Sequence, residues 1–286
     1  MLIDLTHKFV RFKLDRLGVK SRFVDLDSCH LHYYEYEHRS PKRTIVLLHG
    51  LGTSSSTWLN IFPYLLSNYR VIAVDLPGFG FSTIQNGKEF FTLRDHDEAI
   101  RSFVKQVPLP AFVLIGHSFG GWLAARFAAA NSECVEQLVL INNAGIYYRG
   151  VEEIPKLFAV TSTAECRKLL ERMWYHYPWY FKPFTPAILR DLSSRKVNAL
   201  VSSIEAGDFL VEELSQLTMP VDVIWGKEDR LLSAESLATM RRLVPRFATH
   251  AIYLCGHVPQ LERPRDLIGV LDRVLGKEAD DSDGRD

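Results

Sequence analysis

One five-residue motif near the middle of the chain constrains the fold more than any other feature. Residues 116–120 read Gly-His-Ser-Phe-Gly, which is an instance of G-x-S-x-G. The apolar run at 111–115 predicts a buried parallel strand, and the small and apolar residues at 121–128 predict a helix. A sharp turn between strand and helix exposes the serine hydroxyl at the sheet edge, and glycines allow the two backbones to approach. The motif therefore predicts that Ser118 is a nucleophile.

Composition and charge narrow the class of protein. The chain has 286 residues, 47% of them hydrophobic, and a formal net charge of zero. This length suits one large α/β domain or a core with an inserted subdomain. Zero net charge gives no electrostatic argument for nucleic acid, and we expect no nucleic-acid partner. The four cysteines lack metal-site spacing, and no signal peptide or long apolar span is evident, so we expect a cytoplasmic protein with free thiols.

Residues 1–20 predict an N-terminal amphipathic helix with an imperfect apolar side. Apolar residues recur at helical spacing at Leu2, Leu5, Phe9 and Phe12, and basic residues interrupt that side at Lys13 and Arg16. Two interpretations stay open. The favoured one is a helix packed on its own domain or on a partner subunit, because the polar face is not strongly cationic. The other is peripheral contact with a membrane through residues 1–20.

Short apolar strands alternate with helices over most of the chain. Strands are predicted at 21–26, 31–37, 44–48, 70–74, 111–115, 137–141, 221–225 and 249–254, and helices at 57–66, 92–107, 233–244 and 264–275. This alternation predicts an α/β fold with a mostly parallel sheet and helices on both faces. The loops after parallel strands meet at one edge of such a sheet, where ligands bind.

The alternation stops at residues 145–219, where residues 162–174 and 186–206 have the periodicity of helices and no clean strand pattern occurs. We interpret this segment as a helical cap inserted between two core strands. Its aromatic-rich part, residues 173–184, is expected to pack inward more than to touch a ligand, and the acyl-chain length that the protein accepts depends on how this part packs. We therefore predict an N-terminal helix at residues 1–20, a core formed by 21–144 and 220–276, and a helical cap at 145–219. Residues 277–286 are predicted to be a disordered acidic tail.

A serine hydroxyl is a weak nucleophile at neutral pH, so Ser118 needs a base. His257 is the best candidate because it follows a predicted strand and comes late in the chain, after the serine and an acid. Asp229 is the predicted acid that orients the imidazole, and Glu228 beside it is the rival. The alternative position for the acid, after the preceding strand, holds two asparagines at 142–143 that cannot ionise. The other histidines near the motifs, including His49 and His96, are expected to be structural, solvated or hydrogen-bonded.

Two backbone N–H groups are needed to stabilise the negative charge that develops on a carbonyl oxygen. The first is predicted at Phe119, directly after the nucleophile. The second is predicted at Leu51, in the His-Gly-Leu-Gly turn that follows the strand at 44–48. Nothing in the sequence indicates a metal or an organic cofactor.

Five segments together resemble the α/β-hydrolase superfamily over nearly the whole chain. They are residues 49–52, 75–82, 116–121, 225–229 and 256–264. Within this superfamily the chain is similar to capped carboxylesterases and lipases, including monoacylglycerol-lipase-like members. The resemblance implies the α/β-hydrolase fold with an inserted helical cap. It also implies acyl transfer through an acyl-enzyme on Ser118, with a small apolar ester as substrate.

Departures from the family patterns separate this chain from its neighbours. Epoxide hydrolases and haloalkane dehalogenases have an aspartate nucleophile where this chain has Ser118. The carbon–carbon hydrolases of ring-fission pathways often have Asn before the serine and Trp after the histidine, and this chain has His117 and Val258. Carbon–carbon hydrolysis is therefore an alternative that the sequence disfavours. A ligand-binding protein on a hydrolase scaffold is another, although no predicted catalytic position is replaced.

Overall fold

The computed structural model describes residues 2–85, 87–244 and 246–276, so the tail predicted at 277–286 lies outside the described residues. A nine-stranded sheet forms the centre of the fold. Strands β1 to β9 are Lys20–Leu26, Cys29–Tyr36, Thr44–Leu48, Arg70–Val74, Thr83–Ile84, Phe112–His117, Val135–Ile141, Val221–Gly226 and Phe247–Ile252. They lie in the order β1-β2-β4-β3-β6-β7-β8-β9, with β5 paired to β2. Strands β4, β3 and β6 to β9 are parallel, and β1, β2 and β5 pair antiparallel. The mostly parallel sheet is confirmed.

The strands that the sequence predicted begin and end within two residues of their predicted bounds. Only the two-residue β5 was missed, because a pair of residues carries no periodicity. Residues that alternate along β6 pack on opposite faces of the sheet. Phe112 and Leu114 belong to one buried apolar cluster, and Val113 and Ile115 belong to the other. Each face therefore has its own hydrophobic core.

Helices cover both of these faces, as predicted. Helices α1 to α12 are Leu2–Arg16, Phe62–Leu66, Leu93–Gln106, Phe119–Ala130, Ile154–Phe158, Thr163–Met173, Thr185–Leu192, Arg195–Ser202, Glu212–Gln216, Glu235–Leu243, Pro259–Glu262 and Pro264–Leu275. Helix α3 begins with a capping box, in which the side chains of Thr92 and Asp95 accept from each other's backbone N–H groups. None of the described helices is both long enough and apolar enough to cross a bilayer.

Two predicted helices are interrupted. The helix predicted at 57–66 is instead a short 3-10 helix, Ser55–Trp58, followed by α2. Pro63 lies in the first turn of α2, where its missing N–H is tolerated, whereas it would break the interior of a longer helix. The helix predicted at 186–206 is divided into α7 and α8 by two serines at 193–194. Serine side chains compete for backbone hydrogen bonds and so favour helix ends.

Helix α1 packs on the core by one face and presents a second apolar face to solvent. Val10 and Leu14 are buried in the cluster that also contains α2 and α12. Phe9 and Phe12 are 53% and 60% exposed. The helix thus contacts its own domain, the interpretation that the sequence favoured. The phenylalanines do not contribute to that contact.

Residues 145–219, which we term the helical insertion, contain α5 to α9 and short 3-10 helices. The expected inward orientation of the aromatic residues at 173–184 is wrong for three of them. Trp174 is buried, but Trp179, Tyr180 and Phe184 are 78%, 56% and 42% exposed. Along the 3-10 helix Trp179–Phe184, Trp179 contacts Tyr180 edge-on and Tyr180 contacts Phe181 at a tilt, and Phe181 makes the ring contact with Trp174.

The two faces of α1 predict different costs of truncation. Leu14→Ala should lower the free energy of unfolding by about 2–4 kcal/mol, because it leaves a cavity against the core. Phe12→Ala should change it by no more than about 0.5 kcal/mol, since that ring is largely exposed. Urea denaturation followed by circular dichroism measures both. Equal losses in the two variants would contradict the observed orientation of the helix.

Candidate active site

The loops that follow the parallel strands bring the predicted residues together. Strands β3, β6, β7, β8 and β9 lie side by side and run in the same direction. Their carboxyl ends therefore meet at one edge of the sheet. The residues of interest at these ends are Leu51, Ser118, Asn142, Asp229 and His257.

Ser118 lies in a strained turn between β6 and α4, as the motif predicted. Its φ and ψ are 52° and −118°, a conformation that residues other than glycine rarely adopt. A Cβ on Gly116 would lie 2.6 Å from the Cα of Gly121, so only glycine fits where the strand passes the helix. The backbone also holds the turn, since Ser118 N donates to Ile141 O at 3.0 Å. These constraints direct the serine side chain away from the sheet.

A chain of hydrogen bonds joins Ser118, His257 and Asp229. Ser118 Oγ lies 2.9 Å from His257 Nε2, and His257 Nδ1 lies 2.7 Å from Asp229 Oδ2. The side chains of His257 and Asp229 are 1% and 0% exposed. Because Nδ1 faces a carboxylate, we assign the imidazole proton to Nδ1. Nε2 is then free to accept the proton of the serine hydroxyl.

Asp229 is held in its ionised form by polar neighbours. Burial alone would raise the pKa of the carboxyl, but His257, backbone N–H groups and the Asn142 amide bring it below its ordinary value. Oδ1 accepts from the N–H groups of Leu231 and Leu232 at 2.8 and 3.1 Å. The rival acid, Glu228, is differently engaged. Its carboxylate accepts from Cys255 N at 2.9 Å and so links the loops after β8 and β9.

Asn142 is a contributor that sequence reasoning missed. Its Nδ2 donates to Asp229 Oδ2 at 2.7 Å, and its Oδ1 accepts from Gly226 N at 3.0 Å. Its φ of 40° is one that asparagine adopts more readily than most residues. Because asparagine cannot ionise, this position offered no candidate acid. Its place after β7, beside β8, was the signal that it could reach Asp229.

The peptide between Gly50 and Leu51 is fixed in one orientation. Gly50 O lies 2.7 Å from Thr53 Oγ1, 3.3 Å from Thr53 N and 2.8 Å from His49 Nδ1, and it accepts from each. A trans peptide points its C=O and N–H in opposite directions, so these donors aim Leu51 N–H away from themselves. Leu51, Ser118 and Phe119 line the same cavity. Within the described residues, neither Leu51 N–H nor Phe119 N–H donates to a backbone carbonyl.

A backbone contact determines the tautomer of His49. Leu76 N donates to His49 Nε2 at 2.9 Å, so Nε2 carries the lone pair and Nδ1 carries the proton given to Gly50 O. Burial lowers the pKa of His49, which favours the neutral ring. The position of Leu76 is fixed in turn by its neighbour Asp75. His49 therefore has the structural character that the sequence suggested.

Asp75 ties three parts of the chain together beneath this loop. Oδ1 accepts from Ser55 N at 2.8 Å, and Oδ2 contacts Phe81 N at 2.9 Å and His32 Nδ1 at 2.8 Å. Burial raises the pKa of this carboxyl, but His32, His49 and the Ser55 hydroxyl bring it below its ordinary value. Asp75 lies in residues 75–82, one of the segments on which the family resemblance rests, and the sequence indicates no role for it. Its contacts show that it joins β2 to the loops after β3 and β4.

Two further histidines near the site are buried and neutral. His117 Nε2 donates to the backbone oxygen of His257 at 2.8 Å. His96 was expected to be solvated or hydrogen-bonded, and this is wrong. It lies among the rings of Phe79, Phe91 and Phe119, and its Nδ1 has no partner among the described residues. Burial lowers the pKa of each histidine to about 3, and the neighbouring His257 adds to the shift at His117.

A largely apolar cavity of about 510 Å³ opens beside Ser118. Much of its wall comes from two parts of the helical insertion, residues 146–158 and 201–209, with Leu231 and Leu232 opposite. Residues 173–184 are not among its lining residues. The packing of this aromatic segment therefore does not shape the cavity by direct contact. The charged side chains in the lining are those of Glu152 and Glu205, and no described lysine, arginine or histidine lines the cavity.

Residues 171–176 do not line the cavity and are instead hydrogen-bonded to the loops that follow β8 and β9. His257 N donates to Met173 O at 2.6 Å. Glu262 accepts from Tyr175 N at 2.8 Å and, with its other oxygen, from the backbone N–H before His257 at 2.7 Å. Arg230 donates to backbone carbonyls of the same segment.

Among the described residues, no group of three or more potential ligands could hold a metal ion.

Comparison with known proteins shows which proteins this chain is similar to. Residues 45–270 match the model of a family described as the alpha/beta hydrolase family. The human monoacylglycerol lipase ABHD6 is 24% identical, over 87% of this chain and 80% of that protein. A 2-hydroxy-6-oxononadienedioate/2-hydroxy-6-oxononatrienedioate hydrolase of Cupriavidus pinatubonensis is 24% identical, over 78% of this chain and 83% of that protein. A solved membrane phospholipase A, described as a bacterial virulence factor, superposes with a TM-score of 0.82 at 26% identity, covering 96% and 91% of the two chains.

His96 should make the protein less stable in acid. Its pKa is about 3 in the folded state, below the ordinary 6.5, so the unfolded chain binds a proton between these pH values that the folded chain does not. The stability involved is fully present above pH 6.5 and is lost as pH falls towards 3. His96→Phe and His96→Gln should each make the decline shallower by about 1.4 kcal/mol per pH unit.

Urea denaturation at a series of pH values measures this slope separately from any change in stability at neutral pH. The two replacements differ in size and polarity. A change in the slope of stability against pH that both variants share is therefore due to loss of the titrating histidine and not to altered packing. A slope that stays as steep as in the wild type would contradict a neutral buried His96.

Proposed function

Since this chain belongs to the alpha/beta hydrolase family, we propose that it is a serine hydrolase of carboxylic esters, an esterase or lipase. In this proposal Ser118 is the nucleophile, His257 the base and Asp229 the orienting acid. The observation that carries it is the hydrogen-bonded series of these side chains beside an apolar cavity. The similarity to a monoacylglycerol lipase and to a membrane phospholipase A also supports ester hydrolysis.

The proposed reaction begins with attack of Ser118 Oγ on the ester carbonyl carbon. His257 Nε2 takes the hydroxyl proton as the bond forms, and the carbonyl oxygen becomes negative. When the tetrahedral intermediate collapses, the ester C–O bond breaks and His257 gives the proton to the departing alcohol. Water then attacks the acyl-enzyme, with His257 again as the base, and releases the carboxylic acid and the free serine. Asp229 stabilises the imidazolium in both halves of the cycle.

The developing oxyanion is proposed to bind the N–H groups of Leu51 and Phe119. Phe119 is the first residue of α4, so its N–H has no partner within the helix. Leu51 N–H is oriented by the donors on Gly50 O, as described above. Donors held in place before the reaction need no reorganisation when the charge appears. In this arrangement Thr53 and His49 are positioning residues, because they act on the substrate only through the peptide that they orient.

The charge of the cavity favours a neutral, apolar substrate. A carboxylate on the substrate would be taken out of water against largely apolar walls, where the charged side chains are those of the exposed Glu152 and Glu205 and no described cation lies in the lining. Burying an unpaired charge in this way is costly.

The similarity to a dienedioate hydrolase gives carbon–carbon hydrolysis as a second candidate. Its named substrate has two carboxylates, however, and this cavity offers them no partner.

We propose that the helical insertion acts as a cap whose residues 146–158 and 201–209 enclose the acyl chain.

Replacement of the nucleophile tests the proposed function. Wild-type protein should hydrolyse p-nitrophenyl esters in a series from acetate to palmitate, and Ser118→Ala should lower kcat/KM by at least about 10⁴-fold. Ser132→Ala, a change at an exposed serine, should have no effect. The chain length with the highest kcat/KM measures the usable depth of the cavity.

Other outcomes of this assay would point elsewhere. Turnover that persists in Ser118→Ala would rule out this serine as the nucleophile. Fast turnover of a dienoate ring-fission product with none of the esters would favour carbon–carbon hydrolysis. Labelling of Ser118 by a fluorophosphonate without any turnover would favour a binding protein.

Thr53 provides a test of the oriented peptide. Thr53→Val removes the hydroxyl bond to Gly50 O and should lower kcat for the preferred ester by roughly 10-fold, a part of what one oxyanion donor supplies. KM should change little, because the affected N–H contributes chiefly in the transition state. Thr53→Ser should restore kcat.

The matched control is Thr57→Val on the same loop. Its hydroxyl donates to Ser54 O at 3.0 Å and not to Gly50 O. A kcat that falls equally in Thr57→Val, or a KM that rises with no change in kcat, would contradict a specific role for the Gly50–Leu51 peptide.

A further inference from the structure

We propose that the outward face of helix α1 docks on the surface of an anionic lipid bilayer. This face contains Phe9 and Phe12, which are 53% and 60% exposed, whereas Val10 and Leu14 bury the opposite face in the core. An interfacial helix of this kind does not need to span a membrane, since it lies flat with its apolar residues in the headgroup region. The sequence continues the same spacing towards the N-terminus with Leu5 and Leu2.

Basic side chains lie directly on these exposed rings. Lys13 Nζ is 4.8 Å from the centroid of the Phe9 ring, and Arg16 Cζ is 5.9 Å from that of Phe12. Lysine and arginine can extend their charged ends to lipid phosphates while their aliphatic stems cover apolar surface. The face thus combines the two features of a peripheral anchor, aromatic rings that enter the interface and cations that bind its headgroups.

A groove beside this face adds further positive charge. It lies between α1 and β1, has a volume of about 470 Å³, and has Phe12 on its wall. Its basic residues are Lys8, Arg11 and Lys20, and its single acid is Asp15, which is 3.8 Å from Lys20. The excess of cations over acids gives the groove an affinity for phosphate groups on the lipid surface.

The local charge favours a lipid surface over a second copy of the chain. Residues 7–22 include six lysines and arginines and one acid. Two such faces brought together across a twofold axis would place like charges opposite each other, which opposes association. An anionic bilayer provides the complementary charge, worth about 1 kcal/mol for each basic residue near the surface. The whole chain has a net charge of zero, so the rest of the chain carries a net negative charge that balances this positive face. The electric field of this charge distribution orients the positive face towards an anionic membrane.

The docking face adjoins the proposed active site through His7. His7 Nε2 lies 3.2 Å from Ser54 Oγ, on the loop that carries Leu51. His7 and Gly52 also line a common cleft. A bilayer bound to α1 would therefore contact a helix that also touches one of the loops that we propose to hold the oxyanion.

Vesicle co-sedimentation tests this proposal on the full chain. Wild-type protein should bind vesicles of equal parts phosphatidylcholine and phosphatidylglycerol, and bind those of phosphatidylcholine alone much more weakly. Phe9→Ser/Phe12→Ser and Lys13→Glu/Arg16→Glu should each reduce the partition coefficient by roughly 10-fold or more. Raising the ionic strength from about 0.1 M to about 1 M should weaken binding, as the screening length falls from about 10 Å to about 3 Å.

Tyr253→Ser is the matched control, because Tyr253 is 69% exposed and is not part of this face. It should bind vesicles as the wild type does. All variants should retain wild-type hydrolysis of a water-soluble p-nitrophenyl ester, which shows that they are folded. If the wild type has no such activity, circular dichroism gives the same check without reference to the proposed function.

The proposal is overturned by several specific results. One is a wild type that fails to bind the anionic vesicles at low salt. Another is binding that both α1 variants retain, since a different surface would then be responsible. A third is a wild-type dimer in sedimentation velocity that becomes monomeric in Phe9→Ser/Phe12→Ser. That result would assign the face to a second copy of the chain.

Discussion

The buried hydrogen bond between His257 and Asp229 is the interaction on which the arrangement of the site depends. A carboxylate that is fully removed from water must have its oxygens satisfied, or its burial would favour the neutral acid. The donors to Asp229 come from the loop after β7, through Asn142, and from residues 231–232 in its own loop. The imidazole comes from the loop after β9. The pair can therefore form only when β7, β8 and β9 are assembled side by side, so the charge state of the site depends on the completed sheet.

A similar dependence holds on the other side of Ser118. The direction of Leu51 N–H follows from the donors on Gly50 O, and one of these is a neutral His49 whose tautomer is chosen by Leu76 N–H. Leu76 follows Asp75, which is bound to the loop after β3 through Ser55. The loops after β3 and β4 thus hold each other in position through polar contacts in an otherwise apolar interior. Buried polar groups of this kind are costly when unpaired, and their mutual satisfaction makes one arrangement of the loops preferred.

Local patterns account for what the sequence predicted well. Strands could be located because a continuous apolar run is visible without knowing its partners, and Ser118, Asp229 and His257 were chosen because each follows such a run. The features that were missed depend on contacts far along the chain. Asn142 gained its place from Asp229, which is 87 residues away. The exposed phenylalanines of α1 and the buried ring of His96 could not be assigned, because periodicity shows that a helix has an apolar side but not which neighbour covers it. The residues of the cavity walls could not be named for the same reason.

The attachment of residues 171–176 to the His257 loop divides the helical insertion into two parts with different freedom to evolve. The fixed part is held by main-chain groups and by Arg230 and Glu262, so its geometry constrains the proposed base. The cavity walls at 146–158 and 201–209 are not part of that attachment. Drift in those walls can therefore change which group the cavity accepts while the proposed base keeps its position. In a lineage of such proteins, the range of bound molecules would diversify along these segments first.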